Sequence, residues 1–355
     1  MTISQGGLLG VVLGYLVFLF VVASAAEAGS RWLNRGRIRT LTYVLAASVY
    51  CTAWTFYGSV GLAANRGLEF LTIYLGPACI ALLWPVLLRK LVRVAKEQRI
   101  TSISDFISSR YGKSAPLGTL VALLVVCGMI PYIALQLKAV SVSFTMILKE
   151  ESVLDIFDPT FLVACTLALF GILFGARNLD FTKRQTGLMT AVAVESVVKL
   201  VAFLVIGVYV TWGLFGGIGD LFGRAAAHPD WSRLFTLDQP TTASFSRWSA
   251  MLLISMLAVM LLPRQFHVLV VQNARERDVH TVSWSFPLYL LLINLFVLPI
   301  ALAGLATFPE AGANADSFIL RLPLFFDSRL ASVIVFLGGF SAATAMIVVD
   351  SLALS

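Results

Sequence analysis

Along this chain, apolar positions gather into long unbroken runs instead of the 3.6- or 2-residue alternation of a half-buried helix or strand. A helix of ~20 apolar residues crosses a hydrocarbon core of ~30 Å. Nine runs meet that length, approximately 7–27, 40–63, 68–89, 115–148, 160–177, 186–213, 248–272, 281–307 and 330–355. The pattern predicts an all-α polytopic membrane protein of about nine transmembrane helices. The fourth run is too long for one simple crossing, so Pro131 is expected to kink it or its end to lie along the interface. The first run is longer than a signal-peptide core and lacks basic residues before it, and it reads as a retained helix. The last run reaches Ser355 with no basic flank or polar tail, which predicts that these residues are the front of a longer polypeptide.

Composition agrees with lipid as the main solvent, since 59% of the 355 residues are hydrophobic and only 13% are charged. The net charge of +7 does not mark a nucleic-acid surface, because the basic residues lie between apolar runs and form no stripe or tail. Their placement sets a topology instead. With the amino terminus outside, 17 of the 26 Lys and Arg residues fall in inward connections, including Arg31 to Arg39, Arg89 to Lys113 and Arg264 to Arg277. Cys51, Cys79, Cys127 and Cys165 all sit inside apolar runs without metal-ligand spacing and read as small hydrophobes.

Ionisable groups within spans are costly, which makes each a candidate for function. Glu195 and Lys199 are four apart on one helix face, acid first, as a self-neutralising structural pair or as gating charges. Lys138 follows Tyr132 and Gln136 on the fourth run, and either snorkels to an interface or faces a central cavity. Pro263 interrupts the seventh run beside Arg264, Gln265 and His267, a pattern that suits a cytoplasmic gate or a charged span end. Asp350 lies well inside the last run. The second run combines Thr52, Thr55, Gly58, Ser59 and Gly61, residues that permit an unwound stretch with free carbonyls or, equally, close helix packing. Signatures of soluble enzymes are missing: the sequence holds no phosphate-binding G-x-x-x-x-G-K-[ST], no H-E-x-x-H and no G-x-S-x-G. No catalytic domain is expected within these residues.

The loop TSISDFISSRYGKS, Thr101 to Ser114, resembles the T-x-x-D-[FY]-x-x-x-R-[YF]-G segment of sodium/solute symporters, and a long helix bearing YIALQLKAV follows it as in that family. The segments CTAWTFYGSVGLAANRG, PYIALQLKAVS and LPRQFHVLVV are more similar still to the symporter-like sensor domains of bacterial hybrid histidine kinases. This resemblance implies a leucine-transporter-like core of inverted repeats. Residues 7–27 would be an extra leading helix, 40–213 the first five-helix repeat and 248–355 part of the second. It also implies a cation site formed by carbonyls at Ser48 and Cys51 and by the side-chain positions Ala343 and Thr344. One of two expected hydroxyls is thus alanine, which leaves sodium coupling, proton coupling and simple ligand sensing all open. Substrate contacts would fall near Trp54, Thr55, Tyr57, Tyr132 and Gln136.

The function expected from the resemblance is a module of the bacterial inner membrane that binds, and in one reading transports, a small polar nutrient such as the amino acid histidine. Its implied partners are the bilayer, a downstream histidine kinase core and a response regulator. A stand-alone sodium- or proton-coupled transporter is the alternative. No cofactor is expected other than, in one reading, a sodium ion.

Overall fold

The computed structural model describes residues 5–29, 36–148, 161, 165, 185–229, 231–235, 242–309 and 312–354. Among them the chain is helical throughout, with no strand. Among the described residues, six helices are long and apolar enough to cross a membrane: Gly6–Glu27, Ala115–Leu148, Thr186–Leu214, Ser244–Leu261, Asp278–Thr307 and Arg329–Leu354. The protein is therefore an all-α polytopic membrane protein. The span expected at 160–177 lies outside the described residues, apart from 161 and 165.

The helices are α1 (Gln5–Glu27), α2 (Gly36–Ala47), α3 (Ser59–Arg66), α4 (Thr72–Ala81), α5 (Leu87–Gln98), α6 (Ile103–Arg110), α7 (Ala115–Leu148) and α8 (Thr186–Val208). They continue as α9 (Ile218–Ala227), α10 (Thr242–Leu261), α11 (Pro263–Phe266), α12 (Asp278–Asn294), α13 (Val297–Thr307), α14 (Phe318–Phe325) and α15 (Arg329–Leu354). Four of the expected spans, 7–27, 115–148, 186–213 and 330–355, coincide closely with one helical stretch each. Pro131 does not break α7, which runs through it for 34 residues. At 1.5 Å per residue that helix is about 50 Å long, so it extends well beyond a hydrocarbon core.

Several expected spans are interrupted: 68–89 is divided between α4 and α5 by a turn at 82–86, 281–307 between α12 and α13, and two others are broken more sharply. In 40–63, α2 ends at Ala47, a 3₁₀ turn covers Ser48–Tyr50, Cys51 is extended, and a wide π turn covers Trp54–Gly58 before α3 begins. In 248–272, α10 ends at Leu261, Leu262 is extended at ψ 129°, and α11 with a π turn at His267–Val271 completes the run. Pro263 explains the second break, since at a first helical position its missing N–H costs nothing, whereas inside a continuous helix it would.

Around these breaks, α8 packs against α1, α2 and α15, and α7 packs against α15. The core is correspondingly dense at their junction, where Phe56, Phe203, Phe336 and Phe340 are all buried. The charged ends stay out of this core. On α5, Arg89 and Arg93 reach Glu276 at 3.4 and 3.1 Å, and the Arg93 guanidinium holds that carboxyl below the usual carboxylate range.

Candidate functional site

The break between α2 and α3 is the centre of the site, because a backbone that leaves the helical path frees carbonyls and amides that must find other partners. Side chains from three other helices and one from the break itself supply them. Lys199 of α8, with none of its surface exposed, donates from Nζ to the Ser48 carbonyl at 2.8 Å and to the Cys51 carbonyl at 2.7 Å. From α7, Gln136 accepts the Ala53 amide on Oε1 at 2.9 Å, while the Tyr132 hydroxyl lies 3.2 Å from Thr52 Oγ1. The Trp54 amide donates to that same threonine oxygen at 3.2 Å. Gln265, just past the second break, donates to the Ala47 carbonyl at 3.1 Å. The second discontinuity thus supplies a side-chain donor to the backbone at the edge of the first.

Glu195 stands one turn before Lys199, but neither uses the other as its hydrogen-bond partner. The Glu195 carboxyl accepts the Thr344 hydroxyl, and its main-chain carbonyl accepts Ser341 Oγ at 2.9 Å. Tyr15 of the leading helix donates to that same Ser341 oxygen at 2.8 Å. Of the four positions expected to hold a cation, the Ser48 and Cys51 carbonyls thus bind the Lys199 ammonium and Thr344 binds Glu195 of the same helix as Lys199. As they stand they do not fit a sodium ion: both carbonyls receive Lys199 protons, Ala343 offers no side-chain oxygen, and the Thr344 hydroxyl is directed at Glu195.

A second buried charge pair lies close by. Arg264, 1% exposed, reaches Asp350 Oδ2 at 3.2 Å, and its guanidinium carbon sits 4.9 Å from the centroid of the Tyr132 ring. Arg264 accordingly does not extend to an aqueous edge. Next to it, His267 Nε2 lies 3.1 Å from the amide nitrogen of Gln272.

Beside the Trp54–Gly58 turn is a cavity of about 350 Å³. Trp54, Tyr57, Gln136 and Lys138 line it, together with Asn314 and Asp316 from the 3₁₀ segment Gly312–Ser317. Of the five expected substrate contacts, Trp54, Tyr57 and Gln136 border this space. Thr55 and Tyr132 are not in its lining; the Thr55 carbonyl accepts the Ser59 hydroxyl at 2.6 Å. The sequence reading omitted Asn314, Asp316 and the neighbouring Ser143 and Ser317. Glycine creates the closeness of these walls: a methyl at Gly61 would strike the Asp316 side chain, and one at Gly339 would strike the Tyr57 ring.

A broken-helix membrane core with a mostly apolar cavity at the break, carrying a few polar and charged groups, fits a transporter-like class of protein. No protein-family model matches the chain. It is 27% identical over 330 residues to a Bacillus subtilis (strain 168) protein described as the uncharacterized symporter YhjB, a match covering 88% of this chain and 62% of that protein. This likeness supports a symporter family. The chain spans less than two thirds of the length of the relative it matches.

Proposed function

We propose that this chain is a sodium/solute-symporter-type module that binds a small polar nutrient in the cavity beside Trp54 and Tyr57. The carrying observation is the pairing of opposite charges on that cavity, Lys138 on one wall and Asp316 on another. A free amino acid such as histidine presents a carboxylate for the first and an ammonium for the second, with an apolar or aromatic body to set against Trp54 and Tyr57. About 350 Å³ is adequate for a solute of that size.

In this reading the module lies in the bacterial inner membrane with its amino terminus outside, as the Lys and Arg distribution favours. Solute affinity that differs between two conformations biases their populations, and the bias passes to a cytoplasmic histidine kinase core and response regulator. The similarity of CTAWTFYGSVGLAANRG and LPRQFHVLVV to kinase-linked sensor domains supports this coupling. A stand-alone symporter is the second reading, favoured by the description of the Bacillus subtilis relative.

The test is a screen of amino acids for thermal stabilisation of the full-length protein in lipid nanodiscs. A bound solute raises the unfolding midpoint in proportion to the logarithm of its concentration above the dissociation constant. Lys138→Ala and Asp316→Ala are expected to weaken binding about 10- to 100-fold each, the range of a lost charge-assisted hydrogen bond. If both variants bind the stabilising solute as tightly as the parent, the cavity is not the site. Uptake into liposomes then separates transport from sensing alone.

A further inference from the structure

The buried ammonium of Lys199 occupies the space that a bound cation would need. We propose that Lys199 is a built-in cation for the broken helix, doing in this protein what a bound sodium ion does in a sodium-coupled symporter, so that sodium does not bind at this junction.

Three observations converge on it. The Nζ atom makes short hydrogen bonds to both carbonyls released where the helix unwinds, 2.8 Å to Ser48 and 2.7 Å to Cys51. Ser48–Tyr50 is a 3₁₀ turn and Cys51 is extended at φ −80° and ψ 102°, so the Ser48 carbonyl takes the ammonium beside the Cys51 amide, which it accepts at 3.0 Å, and the Cys51 carbonyl turns out of the helical path toward Lys199. A cation at such a place neutralises the aligned carbonyl dipoles of the unwound stretch, which neither water nor lipid reaches.

The second observation is rigidity. Lys199 stands on α8, which packs on α1, α2 and α15, and the Tyr289 hydroxyl pins the same helix through the Ser196 carbonyl at 2.7 Å. The ammonium is therefore held at the break by the fold and cannot swing to an interface as an exposed lysine does. The third is the state of the remaining oxygens. Ala343 contributes none, and the Thr344 hydroxyl donates to Glu195. A sodium ion placed here would meet a fixed positive charge within a few ångströms, at carbonyls that already accept that ammonium's protons. Buried like charges at that separation repel with little screening.

The geometry also assigns Glu195 a role. Its carboxyl, one turn from the ammonium and fastened to α15 through Thr344, supplies a negative partner for a charge that has no lipid-facing exit. The same residues thus hold α2, α8 and α15 together, as a multivalent bound ion would.

Sodium itself is the probe. Thermal unfolding of the full-length protein in nanodiscs is followed in matched sodium, potassium and choline chloride. The parent protein is expected to show the same midpoint in all three, and so is Lys199→Arg, which keeps the charge. Lys199→Ala is expected to have a lower midpoint in potassium and choline chloride, and to recover part of the loss in sodium chloride with a saturable dependence on sodium. Saturable, sodium-specific stabilisation of the parent would overturn the proposal, with no need for any variant to fold. Equally, a Lys199→Ala protein as stable as the parent in every salt would show that the ammonium does not hold the break. The readout is sodium binding, whereas the cavity reading rests on solute binding, so the two fail separately.

Discussion

Buried charge is where single residues matter most in this protein. Arg264 and Asp350 are almost wholly removed from solvent and share one contact at 3.2 Å. Removing one partner from such a pair leaves an uncompensated ion, at a cost of about 3–5 kcal/mol, whereas replacing both with apolar groups is near neutral. Arg264→Met is accordingly expected to lower the unfolding midpoint sharply, and Arg264→Met with Asp350→Leu to recover most of the loss. A double variant no more stable than the single one would contradict this. The presence of both ions could be read from their depth in apolar runs, but their pairing could not. They are separated by 86 positions, and only the fold brings them together. Lys199 is similar: its four-residue spacing from Glu195 fixes a shared helix face, and says nothing about the carbonyls that face meets.

Among the elements, the two sharply broken spans carry the architecture. The second break has a visible cause in Pro263, whereas the first, at Ser48 to Ala53, precedes Gly58 and Gly61 and has only the hydroxyl residues Ser48 and Thr52 to mark it. Glycine decides how closely α15 approaches the first break, since a methyl at Gly338 would meet Phe56 and one at Gly339 would meet Tyr57. Gly339→Ala is expected to destabilise the protein by about 1–3 kcal/mol, the usual cost of overpacking a core. Gly14→Ala on α1 has open space around it and is expected to be neutral or slightly stabilising, as a helix interior prefers alanine. Thermal midpoints of the two variants measured side by side check this, and equal losses would contradict it. Hydropathy showed where helices cross because lipid selects for apolar length. Hydropathy alone treats 40–63 and 248–272 as single runs; the break in the second was legible from Pro263, and that in the first only as one of two readings of its hydroxyl residues and glycines.

At the scale of the whole molecule, the helices form a dense bundle whose cavity lies where the first break meets Gly312–Ser317. Half of that cavity was legible from the chain, since Trp54, Tyr57, Gln136 and Lys138 sit on membrane runs where polar or aromatic residues stand out. The other half, Asn314, Asp316 and Ser317, lies in a connection between spans. Connections carry no periodicity, and a polar residue there is ordinarily just solvated. Only the approach of this segment to Gly61 makes Asp316 part of the wall.

The central claim, that this cavity receives the solute, is tested most directly by thiol labelling of Ser317→Cys. The substitution is nearly isosteric and leaves the Lys138 and Asp316 charges in place; serine at Cys79, Cys127 and Cys165, all exposed, removes competing thiols. We expect a water-soluble maleimide to modify Cys at position 317, and the amino acid that best stabilises the protein to slow that reaction in step with its binding. Labelling that proceeds at the same rate with the site saturated would contradict the account.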